Sequence, residues 1–320
     1  MRIVCLGSAL QDIFLLDRRG FHTVAIAGQS YFDRLDLGTK VDVGDISFSV
    51  GGGATNASVT FARSRFETIF WGCIGNDISG QAVVNTLNDE GVDVSYIDYL
   101  ENQNTGCSVV LLAPSGARTI LTYRGASGQF WTLKVADLKL MNPDWIYITT
   151  LSGDMDKLTE VLVKCQELGV KVMMNPGKKE LANKAKLKRI LSMIDVLLLN
   201  KDEAMQLTDG KSLDELLMNL RSLVPVCLIS DGENGLVATD GKTKVRARLY
   251  EDRRPLDQTG AGDALGSGFL VRWARGRSLR EAVLFGSANA SSVVQAVGSK
   301  VGIISSGVRL HEMPIHETEL

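Results

Sequence analysis

Histidine is scarce in this sequence: three of the 320 residues are histidine, and two of these lie within the last ten positions. A histidine-based metal site or a histidine-driven catalytic triad is therefore not expected. The five cysteines are odd in number and lack CxxC spacing, which is typical of reduced, buried thiols in a cytoplasmic protein. No apolar run approaches the roughly 18 residues that a membrane-spanning helix needs, so we expect no membrane partner.

An excess of positive charge is also missing. The sequence has 35 Lys and Arg residues against 37 Asp and Glu residues, a net charge of −2, which does not favour a nucleic-acid partner. Neither GxxxxGK(S/T) nor GxGxxG occurs, so the fingerprints of the P-loop and of the Rossmann dinucleotide site are absent. The composition, 45% hydrophobic and 22% charged, is that of an ordinary globular protein.

Short apolar runs alternate with helical patterns from about residue 145 onward. The runs are 145–149, 170–174, 196–199 and 226–229. Continuous apolar strands separated by helices are typical of a parallel sheet that is covered on both faces. The sequence therefore predicts an α/β fold: a doubly wound, mostly parallel sheet with helices on both faces.

Two segments interrupt this alternation with short strand-like runs and frequent glycine. They are residues 13–50 and 104–125, the second with a hairpin turn expected at 114–117. We expect them to pair into a small β-sheet lid. Residues 1–12, 51–103 and 126–320 would then form the catalytic α/β domain.

Glycine is the one enriched residue type, with 32 in the chain, and it is clustered. The segment Asp257–Ala264 contains Gly260-Ala261-Gly262 directly before a helical pattern. A helix start of this kind leaves backbone N–H groups unpaired and favours a phosphate or a developing anion. Asp263 would then serve either as a helix cap or as a general base beside that anion site.

Two further polar segments follow predicted strands, at the edge where α/β proteins bind ligands. Asn200 and Glu203 are spaced either for a hydrated Mg²⁺ or for a capping box at a helix start. Ser230, Gly232 and Gly235 follow the next strand. They predict either a close approach to nucleotide phosphate or a plain tight turn.

Near the amino terminus, a carboxylate, an exposed glycine backbone and an amide come together in the sequence. These are Asp12, the pair Gly51-Gly52 at a predicted helix start, and Asn56 in that helix. Such groups are suited to binding the hydroxyls of a polyol, so this region predicts the substrate site.

These segments together resemble the ribokinase (pfkB) family of small-molecule kinases, in matching order over roughly residues 2–307. Asp12 and Gly51–Asn56 resemble the family's sugar-binding start and first signature, and Gly72–Asp77 its G-x-x-G-x-D segment. Asn200 and Glu203 match its N-x-x-E motif, and Asp257–Asp263 its D-x-T-G-A-G-D signature.

The resemblance implies an ATP-dependent kinase that transfers the γ-phosphoryl group to a primary hydroxyl of a small sugar. It assigns the general base to Asp263 and the anion hole to Gly260, Ala261 and Gly262. Mg²⁺ would be held through water by Glu203, with Asn200 nearby. It also places Asn289 near the adenine, leaves open a K⁺ site at Asp257, and implies a homodimer formed through the lid.

Several departures from ribokinase leave the substrate open. Leu10, Gly53 and Thr149 stand where ribokinase has Asn, Lys and a sugar-binding Glu. Arg118 and Arg124 in the lid could instead meet an acidic or phosphorylated sugar. A nucleoside kinase is the alternative within the same class, and a catalytically silent binding protein is the alternative outside it.

Overall fold

The computed structural model describes residues 1–16, 23–26, 29–32, 38, 40, 42–112, 118–251, 253 and 255–320. The strands within these ranges are β1 (Arg2–Leu6), β2 (Leu10–Leu16), β3 (Thr23–Ile26), β4 (Gln29–Phe32), β5 (Asp45–Gly51), β6 (Glu67–Gly75), β7 (Asp93–Leu100), β8 (Gly106–Leu112), β9 (Arg118–Tyr123), β10 (Trp145–Ile148), β11 (Lys171–Met174), β12 (Val196–Asn200), β13 (Val226–Ser230), β14 (Leu236–Thr239), β15 (Thr243–Ala247) and β16 (Ile315–Glu319). The helices are α1 (Gly53–Arg63), α2 (Ile78–Asp89), α3 (Leu138–Met141), α4 (Met155–Leu168), α5 (Lys178–Ala182), α6 (Lys184–Ile190), α7 (Lys201–Leu207), α8 (Leu213–Leu220), α9 (Ala261–Trp273) and α10 (Leu279–Val293).

A ten-stranded sheet forms the centre of the molecule, in the order β16-β15-β14-β13-β12-β11-β10-β1-β6-β7. Seven neighbouring strands of this sheet run parallel: β7, β6, β1, β10, β11, β12 and β13. The last three strands, β14, β15 and β16, each pair antiparallel with the strand before them. Alternate residues of β1 enter two separate buried clusters, Ile3 and Cys5 on one face and Val4 and Leu6 on the other. Since a strand projects successive side chains to opposite faces, the sheet is covered on both sides. The predicted doubly wound α/β fold is confirmed.

The chain winds outward from the middle of this sheet in two directions. From β1 it continues to the neighbouring β6 and then β7, whereas β10, on the other side of β1, leads away through β11, β12 and β13. The connections therefore diverge between β1 and β10, which opens a crevice at the carboxyl ends of these strands. Gly7 and Thr149 are the first residues after the two strands.

A separate four-stranded sheet has the order β5-β2-β8-β9. β2 runs antiparallel to β5 and parallel to β8, and β8 pairs antiparallel with β9. The two predicted lid segments thus meet in one sheet through β2 and β5 of the first and β8 and β9 of the second, although β2 already begins at Leu10. Within the first segment, β3 and β4 form a separate two-stranded sheet. The hairpin turn expected at 114–117 lies outside the described residues. The boundaries of the lid and catalytic domains stay a prediction.

No helix in the described ranges combines the length and the apolar composition that crossing a bilayer requires. All five cysteines lie within these ranges and are unpaired. Burial raises the pKa of the Cys5, Cys165 and Cys227 thiols to about 12, so these thiols stay protonated at neutral pH. The cytoplasmic location remains a prediction.

Candidate active site

A glycine turn between β5 and α1 lies against the crevice beside β1. Gly52 caps α1 with φ 103°, a left-handed conformation that side chains rarely adopt. A Cβ at Gly52 would overlap the Ser8 carbonyl in the segment that follows β1. Gly52 is therefore required by the close approach of two backbone segments, and α1 begins at the edge of the crevice.

Two carboxylates lie on either side of this turn. A Cβ at Gly51 would overlap Oδ2 of Asp12, and a Cβ at Gly53 would lie 2.9 Å from Oδ1 of Asp263. Asp12 comes from the lid strand β2, and Asp263 comes from the first turn of α9. The structure thus brings the predicted substrate residue and the predicted base to the same glycine turn, although 250 positions separate them in the sequence.

The Asp263 carboxyl group is oriented by Asn56, whose Nδ2 donates to Asp263 Oδ2 at 2.8 Å. Burial raises the pKa of Asp263, while the Asn56 hydrogen bond and the charge of Lys300 lower it. Asp12 is 4% exposed. Its burial raises its pKa to about 6, against the lowering effects of Lys300 and of a hydrogen bond with Ser108. A carboxylate in such surroundings can accept a proton close to neutral pH.

The start of α9 has an open backbone. Its N-cap is Gly260, with φ 80°, and no side chain in the described residues caps it. The helix cap expected as the alternative role of Asp263 is therefore wrong, because Asp263 lies two residues inside the helix. A Cβ at Gly262 would meet nothing within 4 Å. The Ala261 N–H donates a long hydrogen bond to the Gln258 carbonyl at 3.4 Å, whereas the Gly262 N–H has no backbone partner among the described residues. The first turn of α9 thus has donor capacity beside open space, which fits an anion.

Asp257 has a different environment from the other predicted site residues. It is buried, and its Oδ1 accepts hydrogen bonds from the Thr259 amide at 2.9 Å and the Thr259 hydroxyl at 2.6 Å. Its Oδ2 accepts from the Gly298 amide at 3.1 Å. These bonds join the segment before α9 to the segment after α10. A carboxylate can accept more than these three bonds, so a K⁺ site at Asp257 stays a prediction.

The residues predicted to meet the nucleotide lie farther along the same sheet edge. Asn200 and Ser230 end the neighbouring strands β12 and β13, where they are paired in register. Just beyond them, Lys201 Nζ lies 3.1 Å from Asp231 Oδ2. The structure therefore places Asn200 and Ser230 side by side at the carboxyl edge.

Asn200 and Glu203 form a reciprocal capping box at the start of α7, each side chain accepting from the other's amide at 2.9 Å. The capping alternative is thus present in the structure. It uses Oε2 of Glu203, and no hydrogen bond from a described residue reaches Oε1. Burial raises the pKa of Glu203. Mg²⁺ in proteins keeps most of its waters and needs few carboxylates, so Glu203 fits a water-mediated contact.

The structure gives roles within the fold itself to Gly232, Gly235 and Asn289. Gly232 opens a short turn, and a Cβ at Gly235 would overlap the Ala247 carbonyl, so Gly235 is required by tight packing against β15. Asn289 is fully buried. Its Nδ2 donates to the Ala264 carbonyl at 2.9 Å and its Oδ1 accepts from the Ile304 amide at 3.0 Å. The Asn289 amide therefore holds α10 against α9, and its predicted place near the adenine stays a prediction.

The site also contains three residues that the sequence analysis did not name: Lys300, Ser299 and Tyr147. Lys300 and Ser299 both donate to Asn56 Oδ1, at 2.6 and 2.7 Å. The hydroxyls of Tyr147 and Thr149 are buried, without a hydrogen-bond partner among the described residues. The signal for Lys300 was its position between Gly298 and Gly302, since a lysine in a glycine-rich segment can approach other backbone closely.

The chain is similar to known proteins in both sequence and fold. The pfkB family carbohydrate kinase model matches residues 22–305. Ribokinase from Haemophilus influenzae is 26% identical over 265 residues, covering 79% of this chain and 83% of that protein. Nucleoside kinase from Methanothermobacter thermautotrophicus is 24% identical over 260 residues, covering 80% and 82%. The structure of Arabidopsis thaliana ribokinase complexed with ribose and ATP superposes with a TM-score of 0.78, at 22% identity and 95% coverage of both chains. The chain belongs to the pfkB family of carbohydrate kinases, ATP-dependent phosphotransferases that act on a hydroxyl group.

Proposed function

We propose that this protein transfers the γ-phosphoryl group of ATP to a primary hydroxyl of a small sugar. One observation carries the proposal: the Asp263 carboxyl group lies between the glycine turn of the predicted substrate site and the uncapped start of α9. A phosphoryl acceptor needs a base beside its hydroxyl and an electrostatic cradle for the transferred group. Both are present within one turn of helix.

Asp263 receives the proton of the acceptor hydroxyl. The hydroxyl oxygen forms a bond to the γ-phosphorus while the bond from that phosphorus to the β,γ-bridging oxygen breaks, and ADP leaves. The N–H groups of Ala261 and Gly262 stabilise the negative charge on the transferred group, as does the positive end of the α9 dipole. Asp12 and the backbone of Gly51 and Gly52 hold the remaining hydroxyls of the acceptor.

Asn200, Ser230 and Gly232 would line the nucleotide side. Their place at the carboxyl edge supports this, as does the Arabidopsis relative, which was solved with ATP. Mg²⁺, when bound to the nucleotide phosphates, neutralises charge that develops on them. Glu203 would contact that ion through water.

The acceptor side lacks two charged side chains, since Gly53 and Thr149 stand where ribokinase has a Lys and a sugar-binding Glu. Thr149 packs closely on Gly53, because its side chain lies 3.0 Å from the place of a Cβ at Gly53. The identity of the acceptor therefore stays open, and the similarity to a nucleoside kinase gives a specific reason for the nucleoside alternative.

The test is an ADP-release screen with Mg²⁺-ATP over pentoses, hexoses, sugar acids, sugar phosphates and nucleosides, with each product identified by mass spectrometry. A variant Asp263→Asn, purified in the same way, is the control for contaminating kinases. We expect turnover of a sugar that depends on Asp263. Turnover of nucleosides alone would establish the alternative acceptor class. No turnover with any acceptor would contradict the proposal and favour a silent binding protein.

We also propose that the protein forms a homodimer through the lid. The register of β5, β2, β8 and β9 puts Asp12 on one face of the lid and Phe48, Leu121 and Tyr123 on the opposite face. These three side chains are 60%, 59% and 53% exposed. A sheet face of this kind favours association with a second copy.

A further inference from the structure

Lys300 follows α10 in the sequence, but its ammonium group reaches the glycine turn of the substrate site. The residue is 7% exposed. Nζ donates to the Val50 carbonyl at 2.5 Å, to Thr55 Oγ1 at 2.9 Å and to Asn56 Oδ1 at 2.6 Å. An ammonium has three protons, so these acceptors use its full donor capacity. All three belong to the β5–α1 segment that carries the turn.

This contact determines which way the Asn56 amide points. Oδ1 of Asn56 accepts from both Lys300 and Ser299, and an ammonium can only donate. The NH₂ group of Asn56 must therefore face Asp263, to which it donates at 2.8 Å. Without Lys300 the amide could rotate and direct its oxygen at the carboxylate, where the two acceptors would repel each other.

The charges around Lys300 are mostly negative. Asp12 from β2, Asp263 from α9 and Glu90 after α2 face it, with Arg63 of α1 as the opposing cation. Burial lowers the pKa of Lys300 to about 7, against the raising effect of these carboxylates.

The two carboxylates of the site have few other charged neighbours. Asp12 also faces Asp257, Asp263 and the Cys107 thiol, and Asp263 also faces the Tyr147 hydroxyl. None of these neighbours carries positive charge. Lys300 is thus the positive charge shared by Asp12 and Asp263 among the described residues.

We propose that Lys300 is a positioning residue for phosphoryl transfer, whose ammonium fixes the Asn56 amide and keeps Asp12 and Asp263 ionised at the same time. This inference rests on the proposed function, since it takes Asp263 as the base. Lys300 acts through Asn56 and through its charge, and it does not itself contact the acceptor.

The test compares two substitutions that separate charge from hydrogen bonding. Lys300→Gln keeps a donor for Val50 or Asn56 but removes the charge, and Lys300→Arg keeps the charge. For Lys300→Gln we expect the acid limb of the kcat profile to move to higher pH by about 1 unit or more, because loss of a nearby opposite charge raises a carboxyl pKa by about that amount. Lys300→Arg should keep the acid limb of the wild type even where its altered shape lowers kcat.

A matched control is Lys157→Gln. The Lys157 side chain is 13% exposed, and its Nζ donates to the Leu133 carbonyl at 3.1 Å, remote from the carboxylates of the site. This variant should leave the acid limb unchanged. Identical acid limbs for folded Lys300→Gln and the wild type would overturn the proposal.

Carboxyl-carbon NMR titration of the substrate-free wild type gives a readout that needs neither turnover nor a folded variant. We expect the Asp12 and Asp263 signals to show a second step near pH 7, when Lys300 loses its proton. Absence of that step would overturn the role of Lys300 even if Lys300→Gln does not fold. If no acceptor is phosphorylated by the wild type, the proposed function fails, and the titration still decides whether Lys300 controls these carboxylates.

Discussion

The two oxygens of the Asp263 carboxyl group have different neighbours. Oδ2 accepts the hydrogen bond from Asn56, and Oδ1 points toward the glycine turn, where a Cβ on Gly53 would approach it. In the proposed reaction Oδ1 is therefore the oxygen that takes the proton of the acceptor, while Oδ2 keeps the carboxyl group oriented.

Replacing this base gives the most direct prediction at the residue scale. Asp263→Asn keeps the size of the side chain and a carbonyl oxygen for Asn56, but it cannot take the proton. We expect kcat to fall by about 10²–10⁴-fold with little change in the acceptor KM. Steady-state kinetics measure both. Asp156→Asn is the matched control, since Asp156 is likewise in the first turn of a helix, α4, but 90% exposed. Near-wild-type turnover by Asp263→Asn would refute the assignment of the base.

The pH dependence of kcat/KM follows from the burial of the Asp263 and Asp12 carboxyl groups. A base must be deprotonated to act, and burial raises the pKa of Asp263 above that of an exposed aspartate. Asp12, which must also be ionised to accept hydrogen bonds from the acceptor, has a pKa raised to about 6. We therefore expect kcat/KM to decline as the pH falls through the region of 6, measured with saturating Mg²⁺-ATP. Constant kcat/KM down to pH 4.5 would show that neither carboxylate has the assigned role.

At the scale of elements, the start of α9 contains one glycine that the backbone requires and one that it does not. Gly260 has φ 80°, and a Cβ there would lie 2.5 Å from Cβ of Ser299. Gly262 faces open space and has no such conformation. The backbone thus explains Gly260 on structural grounds and leaves Gly262 to be explained by what occupies the space.

Two alanine substitutions test this difference. Gly260→Ala should lower the free energy of unfolding by about 1–2 kcal/mol or more, because alanine is strained in the left-handed region and would contact Ser299. Gly262→Ala should leave that free energy unchanged or raise it by up to about 1 kcal/mol, since alanine favours the helix. Its kcat/KM should still fall by about 10²-fold, since a methyl group would displace the phosphoryl group. Urea unfolding and kinetics check both, and a fully active Gly262→Ala enzyme would argue against an anion hole there.

The loops after β10 and β11 are joined by one buried carboxylate. Glu180 is fully buried in α5, and its oxygens accept from the amides of Leu151, Gly153 and Gly177 at 2.7–3.0 Å. The Thr150 hydroxyl donates as well. Glu180 therefore holds two loops together at the edge of the sheet where the crevice opens.

Removing the charge of Glu180 should lower the stability of the whole fold. In Glu180→Gln one oxygen becomes an NH₂ group that cannot accept, so buried amides lose their partner. We expect the free energy of unfolding to fall by about 2–3 kcal/mol, from the usual strength of hydrogen bonds to a charged group. Glu160→Gln, at a side chain that is 55% exposed, is the control and should change it little. Equal unfolding midpoints for the two variants would contradict this role.

At the scale of the whole molecule, the two faces of the lid differ in character. The face with Asp12 is turned to the substrate site, and the opposite face exposes Phe48, Leu121 and Tyr123. Burying these side chains against a second copy would remove apolar surface from water, which is the main driving force for association.

A charged side chain introduced on the exposed face of the lid should therefore dissociate the proposed dimer. We expect Phe48→Glu to sediment as a monomer of 34.7 kDa at concentrations where the wild type sediments at twice that mass. Leu140→Glu is the matched control, since Leu140 is 71% exposed in α3, a helix that packs against α4. Its sedimentation should match the wild type. A wild type that is monomeric at all accessible concentrations would rule out the lid dimer.

The sequence by itself determined the fold class and most of the lid strands, and it marked the candidate site. Apolar runs separated by helical patterns favour a covered parallel sheet. The helix start at Gly260-Ala261-Gly262, beside Asp263, depends on neighbouring residues of the chain and can be recognised from them. Hydrophobic periodicity and turn chemistry are short-range properties, so they can be read along the chain without knowing what lies across the molecule.

Only the tertiary structure decided which distant groups meet. Asn289 matched a family position, yet its amide is engaged by α9 and by Ile304, and Lys300 lies more than 240 positions from the Asn56 that it orients. The local sequence does not identify the partner in either contact, because both contacts arise where α9, α10 and the turn before α1 pack together. The protonation of Asp12, Asp263 and Lys300 depends on the same packing, since burial and neighbouring charge, and not residue type, determine how tightly each group holds its proton.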